Sequence, residues 1–131
     1  MFTTLDESTR RLLDGRNFAT VSTLDADGGP QASVVWYQRD GDTVAFSSTE
    51  DRAKVRNLRR DPRVSITVFA MDNPYHSVEL RGTAEIVPDP AKELPLALSF
   101  RYLGEAPPPE PDEIVRVIVR VTPTKVNRFA V

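Results

Sequence analysis

Apolar residues follow two rhythms along this chain. Over residues 17–24, 31–38, 43–48 and 63–69 they alternate with polar ones, and Val, Thr and Phe are frequent. A period of two with β-branched and aromatic residues predicts strands. The alternation returns over 76–87, with Val78, Leu80, Ala84 and Ile86 on one face and Glu79, Arg81, Thr83 and Glu85 on the other. It returns over 113–121, where Val115, Val117, Val119 and Val121 face inward and Arg116 and Arg120 outward. After a bend at Thr122 and Pro123, residues 125–131 read as a last strand. Gly82 interrupts an apolar face and marks a bulge or a close backbone approach.

Three segments break this rhythm. Residues 6–14 form a short amphipathic helix, capped by Thr3 or Thr4, with Leu12 and Leu13 inward and Gly15 at its end. Residues 50–60 form a second, with Val55 and Leu58 at i, i+3. Ser47 or Ser48 caps it, Ser47-x-x-Glu50 matches a capping box, and Asp61-Pro62 stops it. Residues 91–102 form a third, weakened by Pro95. Turn clusters at 25–29, 39–42, 71–74 and 88–90 separate the strands. The proline-rich stretch 106–111 is an extended, semi-rigid loop. Six to seven strands with short helices make a mainly β chain, closed into a barrel or sandwich that removes its edges.

The 131 residues fit one domain, residues 1–131. A large ligand then sits at the surface or between two copies. With no cysteine and a single histidine, His76, a thiolate or His-based metal centre and a thiol nucleophile are set aside. No GxSxG elbow surrounds any serine. The first eleven residues carry Asp6 and Glu7 and no apolar core, unlike a signal peptide. No apolar run is long enough for a bilayer. The expectation is a cytoplasmic protein without membrane contact. A net charge of −2 argues against general nucleic-acid binding.

Local charge changes that picture. Residues 47–63, SSTEDRAKVRNLRRDPR, follow a strand and open a helix. Free N–H groups at a helix N-terminus favour an anion. Arg52, Lys54, Arg56, Arg59 and Arg60 add positive side chains, and arginine's planar fork suits phosphate oxygens. The plainer reading is a solvated face, with Glu50 and Asp51 pairing with Lys54 and Arg56. A nucleic-acid groove lacks the aromatic interleaving it needs.

The segments Phe18-Ala19-Thr20-Val21-Ser22-Thr23, Gly29-Pro30-Gln31-Ala32-Ser33-Val34-Val35-Trp36-Tyr37 and Arg52-Ala53-Lys54-Val55-Arg56-Asn57-Leu58-Arg59-Arg60-Asp61-Pro62-Arg63-Val64 together resemble the pyridoxamine 5'-phosphate oxidase-like FMN-binding split-barrel family. The likeness is strongest to its deazaflavin (coenzyme F420)-dependent oxidoreductase branch. It runs from about residue 5 to 86 and more loosely to the C-terminus.

The resemblance implies a Greek-key split β-barrel with short flanking helices. It implies a homodimer with cofactor sites at the subunit interface and a small organic molecule as substrate. The cofactor phosphate would lie against the strand-to-helix turn, near Arg52, Lys54, Arg56 and Asn57. Gln31, Ala32, Ser33, Val34 and Val35 would run along the ring, with Ser47 and Ser48 on the neighbouring strand. Tyr75, with His76 beside it, would cover the ring from the second subunit. Trp36 and Tyr37 either line the ring pocket or belong to the core or interface. The implied function is hydride transfer from reduced coenzyme F420, whose acidic tail Arg59, Arg60 or Arg63 would attract. The alternatives are an FMN-dependent reductase and a non-catalytic flavin or deazaflavin carrier. True pyridoxamine phosphate oxidases are longer and carry extra C-terminal segments for the substrate phosphate, where this sequence has Pro107 to Pro111 and a short tail, so pyridoxal phosphate synthesis is not the expectation. For the proton that accompanies hydride, Tyr37, Tyr75, His76 and Lys54 are the available donors besides solvent.

Overall fold

The computed structural model describes residues 2–130. Helix α1 (Glu7–Asp14) is capped by Asp6, not by Thr3 or Thr4. The Asp6 carboxylate accepts the Thr9 N–H at 2.9 Å, and Thr3 is engaged elsewhere, donating to the Thr124 carbonyl at 2.8 Å. Leu12 and Leu13 are buried as the periodicity requires.

Strands β1 (Ala19–Leu24), β2 (Pro30–Val35), β3 (Gln38–Asp40), β4 (Thr43–Thr49), β5 (Arg63–Ala70), β6 (Asn73–Pro88) and β7 (Arg116–Ala130) form one antiparallel sheet. The order is β2-β1-β5-β6-β7-β4-β3. The sheet coils until both of its ends share one core: Val21, Ile66 and Leu80 meet Tyr37, Phe46 and Val119. Edge strands β2 and β3 have no ladder between them among the described residues. This is the split-barrel type of mainly β fold.

The strand expected over 31–38 is two strands. Trp36 and Tyr37 leave the ladder because the Tyr37 side chain turns into the core, where its hydroxyl donates to the Leu13 carbonyl at 2.9 Å. At the other end of the chain, two expected strands are one. β7 runs through Pro123, tolerated where the β6–β7 register shifts between Arg81 and Gly82. A Cβ at Gly82 would sit 2.0 Å from the Thr122 carbonyl oxygen. The sequence gap in the apolar face is therefore both a bulge and a close approach. Val115 lies outside β7 and is exposed, not inward.

Helix α2 (Ala53–Arg60) starts three residues later than its pattern suggests. Ser47 and Ser48 stay in β4, so the capping box does not form; Arg52 occupies the cap position with no side-chain cap bond. Helix α3 (Glu93–Leu103) starts from Lys92 in the left-handed region, φ 56°. Both carboxylate oxygens of buried Asp89 accept N–H groups, of Glu93 and Leu94, at 3.0 Å. Lys92 and Arg116 grip Glu110 at 3.0 and 2.9 Å. Those hydrogen bonds, Arg116 first, hold the Glu110 carboxyl at about 2 and tie the proline-rich loop to α3 and β7. The inner face of α3 packs Leu94, Leu98 and Tyr102 on Ala45, Trp36 and Ile118. No described helix is long and apolar enough to cross a membrane.

Candidate cofactor site

β4 carries Phe46 into the core and ends at Ser47, Ser48 and Thr49; the chain then turns into α2. Arg52 is exposed and Lys54 half-buried. Among the described residues, neither has a carboxylate within ion-pair distance. Burial, and then the neighbouring Arg52 charge, push the Lys54 ammonium below its ordinary pKa. Two like charges, one partly desolvated, at an uncapped helix start make an arrangement that an incoming anion stabilises. Arg56 donates to the Asp51 carbonyl. The Asp51 carboxylate accepts the Thr49 hydroxyl at 2.6 Å; that bond first, and then the nearby Arg52 and Arg56 charges, hold it below its ordinary pKa, without an ion pair to either arginine.

The far half of α2 is different. Arg59 makes a two-pronged pair with Glu50, at 3.0 and 2.5 Å. Arg63 pairs with Asp61 at 2.7 Å, and those bonds bring the Asp61 carboxyl to about 2. Arg60 donates to the Leu24 carbonyl at 2.6 Å. Asn57 is buried, and its amide nitrogen donates to Thr23 Oγ1 at 3.0 Å and Asp25 Oδ1 at 2.9 Å. Its amide oxygen accepts from Arg60 at 3.0 Å. With every polar atom in use, Asn57 braces α2 against the β1–β2 turn. Thr23 and Asp25 are the residues sequence reasoning missed here; only the turn-forming run 25–29 pointed toward them.

On β2, Gln31, Ser33 and Val35 are half-buried, and Ala32 and Val34 face solvent. The strand pairs with β1 alone, which leaves its other edge open. Gln31 accepts the Thr23 hydroxyl at 3.1 Å, so a hydrogen-bonded chain runs from β2 through Thr23 and Asn57 to α2. Among the described residues, the hydroxyls of Ser33 and Ser47 are buried without a hydrogen-bond partner. Ser48 donates to the Thr49 carbonyl at 3.1 Å.

Tyr75 and His76 lie elsewhere. His76 is paired with Ala130, whereas Ser48 is paired with Val117 and through it with Pro88. The path along β6 from His76 to Pro88 is roughly 40 Å at about 3.3 Å per residue. Ser47, Ser48, Arg52, Lys54 and Arg56 belong to the continuous stretch from β4 into α2, whereas Tyr75 is exposed near the start of β6. His76 lines a groove of about 370 Å³ with Arg11, Arg16 and Met71.

Tyr37 and Trp36 take the core alternative. Tyr37 is fully buried, its phenol pushed well above the ordinary value by burial, so it has no access to a ligand proton. Trp36 stacks on Tyr102 at 5.1 Å.

A sequence profile of pyridoxamine 5'-phosphate oxidase matches residues 5–129. The chain belongs to this family. It is similar to a solved F420 reductase at 37% identity and a TM-score of 0.86, over 94% of this chain and 98% of that one. A conserved hypothetical protein from Mycobacterium tuberculosis matches at 25% identity and a TM-score of 0.79, over 98% and 86%. The pyridoxine/pyridoxamine 5'-phosphate oxidase of Kineococcus radiotolerans is 35% identical over 72 residues, which are 55% of this chain and 32% of that enzyme. The chain thus spans about a third of that curated relative.

Proposed function

We propose that this chain is an F420-dependent oxidoreductase that transfers hydride between reduced coenzyme F420 and a small organic substrate, working as a homodimer with the cofactor sites between the two copies. The observation that carries the reading is the pair Arg52 and Lys54. They are cationic, have no carboxylate within ion-pair distance among the described residues, and stand at the uncapped start of α2 in a chain similar to an F420 reductase over nearly its whole length.

The residues fit a phosphate-bearing ring cofactor. Arg52, Lys54 and Arg56 would hold the phosphate, and Ser47 and Ser33 offer hydroxyls still lacking partners. The open edge of β2 would meet the polar rim of the ring. Asn57 positions this apparatus rather than touching the cofactor. When bound, the deazaflavin supplies the hydride chemistry, and the chain supplies binding, orientation and electrostatics. Tyr75 and His76 lie near the end of β6 away from the start of α2, and in this reading they come from the second copy. They and Lys54 are then the side chains able to hold a proton beside the ring; Tyr37 is not.

The outer sheet surface supports the dimer. Val34, Thr20 and Thr67 share one exposed row, and Phe18, Phe69 and Phe129 lie along the next. At one end of the second row, Phe18 touches the Tyr102 ring of α3; Val34, Phe69 and Phe129 are exposed.

FMN is the second reading, favoured by one observation. Arg59 and Arg63 already have carboxylate partners, and a cofactor without an acidic tail makes no demand on them. Titration with FMN and with coenzyme F420, followed by ring fluorescence, separates the two. Preferential F420 binding is expected; preference for FMN moves the chain to the flavin branch, and binding of neither overturns the site.

A further inference from the structure

Helix α3 is apolar on two opposite faces. Its inner face is in the core already described. On the outside, Leu96, Phe100 and Leu103 line up at i, i+4 and i+7 and are 45%, 53% and 60% exposed. A helix at a water-facing surface carries polar residues there; one apolar all round belongs in an interior. The stripe has no cation within it. Arg101 folds back from the helix and donates to the carbonyls of Tyr37, Leu13 and Gly15, at 3.1, 3.2 and 2.8 Å.

The stripe does not stand alone. The ring of Tyr102 on α3 packs against Phe18 at 5.4 Å. Phe18 begins the aromatic row of the outer sheet surface, with Phe69 and Phe129 behind it; the three are 39%, 46% and 57% exposed. With Val34 and the three α3 residues they expose on the order of 700 Å², taking about 150–250 Å² for a whole aromatic side chain. Single apolar patches on monomers reach roughly 300–600 Å². A standard protein interface takes about 800 Å² from each partner. Neither surface reaches that size by itself, and the two together come close.

We propose that the outer stripe of α3 packs against a second copy of this chain, in the same contact as the outer sheet surface. The proposal rests on the dimer reading above and extends it from the sheet to the helix. Charge argues for a protein partner over a lipid surface. Membrane-surface helices flank their apolar face with Lys and Arg, and the only cation of α3 is the Arg101 already bound to carbonyls. Phe100 is the central anchor, since buried aromatics dominate such contacts.

Sedimentation equilibrium of the full chain tests this, with Phe100→Glu and Leu103→Glu on α3, Phe100→Leu as the conservative variant, and Thr67→Arg on the sheet. Circular dichroism checks that each variant folds. The expected result is a wild-type dimer. Either glutamate should weaken it by about tenfold or more, as loss of a central anchor does, and Phe100→Leu should stay close to wild type. If both glutamate variants dimerise like wild type while Thr67→Arg is monomeric, the α3 proposal fails and the sheet dimer stands. If the wild type is itself monomeric, both fail. A monomeric wild type that binds phosphatidylcholine vesicles through Phe100 would replace the second copy with a lipid surface and overturn the proposal.

Discussion

Arg52, Lys54 and Arg56 stand at the start of α2, and Arg59, Arg60 and Arg63 at its end. In sequence the two groups look alike, basic residues a few positions apart on and just beyond one short helix. In the fold they have different neighbours. The later group bonds to Glu50, Asp61 and the Leu24 carbonyl, all within the protein. Of the earlier group, only Arg56 makes a side-chain bond among the described residues, and that is to a backbone carbonyl. Surface cations with carboxylate partners contribute little to stability and have little left to offer a ligand. Cations held together without partners cost the apo-protein something and are released from that cost by an anion. The comparison therefore divides a basic run into a part that finishes the fold and a part that waits for a ligand.

The sharpest way to break the comparison is at Lys54. Lys54→Met should weaken cofactor binding by on the order of 1.5–3 kcal/mol, the range for hydrogen bonds to charged groups, as read by fluorescence titration. The same variant should slightly raise the melting temperature of the ligand-free protein, because it removes a charge that burial and Arg52 disfavour. Lower affinity with a lower melting temperature would mean that Lys54 is structural. The pH dependence has a definite sign. The free-state pKa of Lys54 lies below its ordinary 10.5, and a bound phosphate raises it. Affinity should be full below that free-state pKa and fall as pH rises through it, and Lys54→Met should flatten the alkaline limb.

Asn57→Ala tests the other side of the comparison. It leaves the partners Thr23 and Asp25 facing a void and should cost roughly 1–3 kcal/mol of folding stability, measured by urea denaturation. Residual cofactor affinity per folded molecule should change much less than in Lys54→Met. The smallest expected effect is at the far end of the helix. Glu50→Gln releases Arg59 from its partner and should improve binding of coenzyme F420 modestly while leaving FMN unaffected. Equal gains for both cofactors would show that Arg59 does not distinguish a tail.

Much of this architecture was legible because it rests on local patterns. The alternation of Val78 and Leu80, and of Val117, Val119 and Val121, marked buried faces correctly, and Gly82 marked a bulge or close approach whose partners, Thr122 and Pro123, only the fold reveals. What escaped depends on partners far away in the chain. Nothing near Tyr37 in sequence says that its hydroxyl meets the Leu13 carbonyl, so the break between β2 and β3 was invisible. Pro123 reads as an end of strand until the β6 register shift is known. Asp6 outcompeted the nearby threonines because Thr3 had a distant acceptor in Thr124. The basic segment was visible as a run, but its division into paired and unpaired cations was set by Glu50, Asp51 and Asp61, and by which of them the turn into α2 had already committed.

The open edge of β2 has a consequence for handling the protein. The strand PQASVV bears no charge and only one proline, at its start, whereas exposed edges in nature are commonly blunted by lysines, prolines or bulges. An uncovered edge of this kind is a template on which further chains extend the sheet. Ligand-free preparations held at high concentration are therefore the ones in which fibrillar self-association will begin, and whatever occupies that edge acts as a solubility factor as much as a reactant.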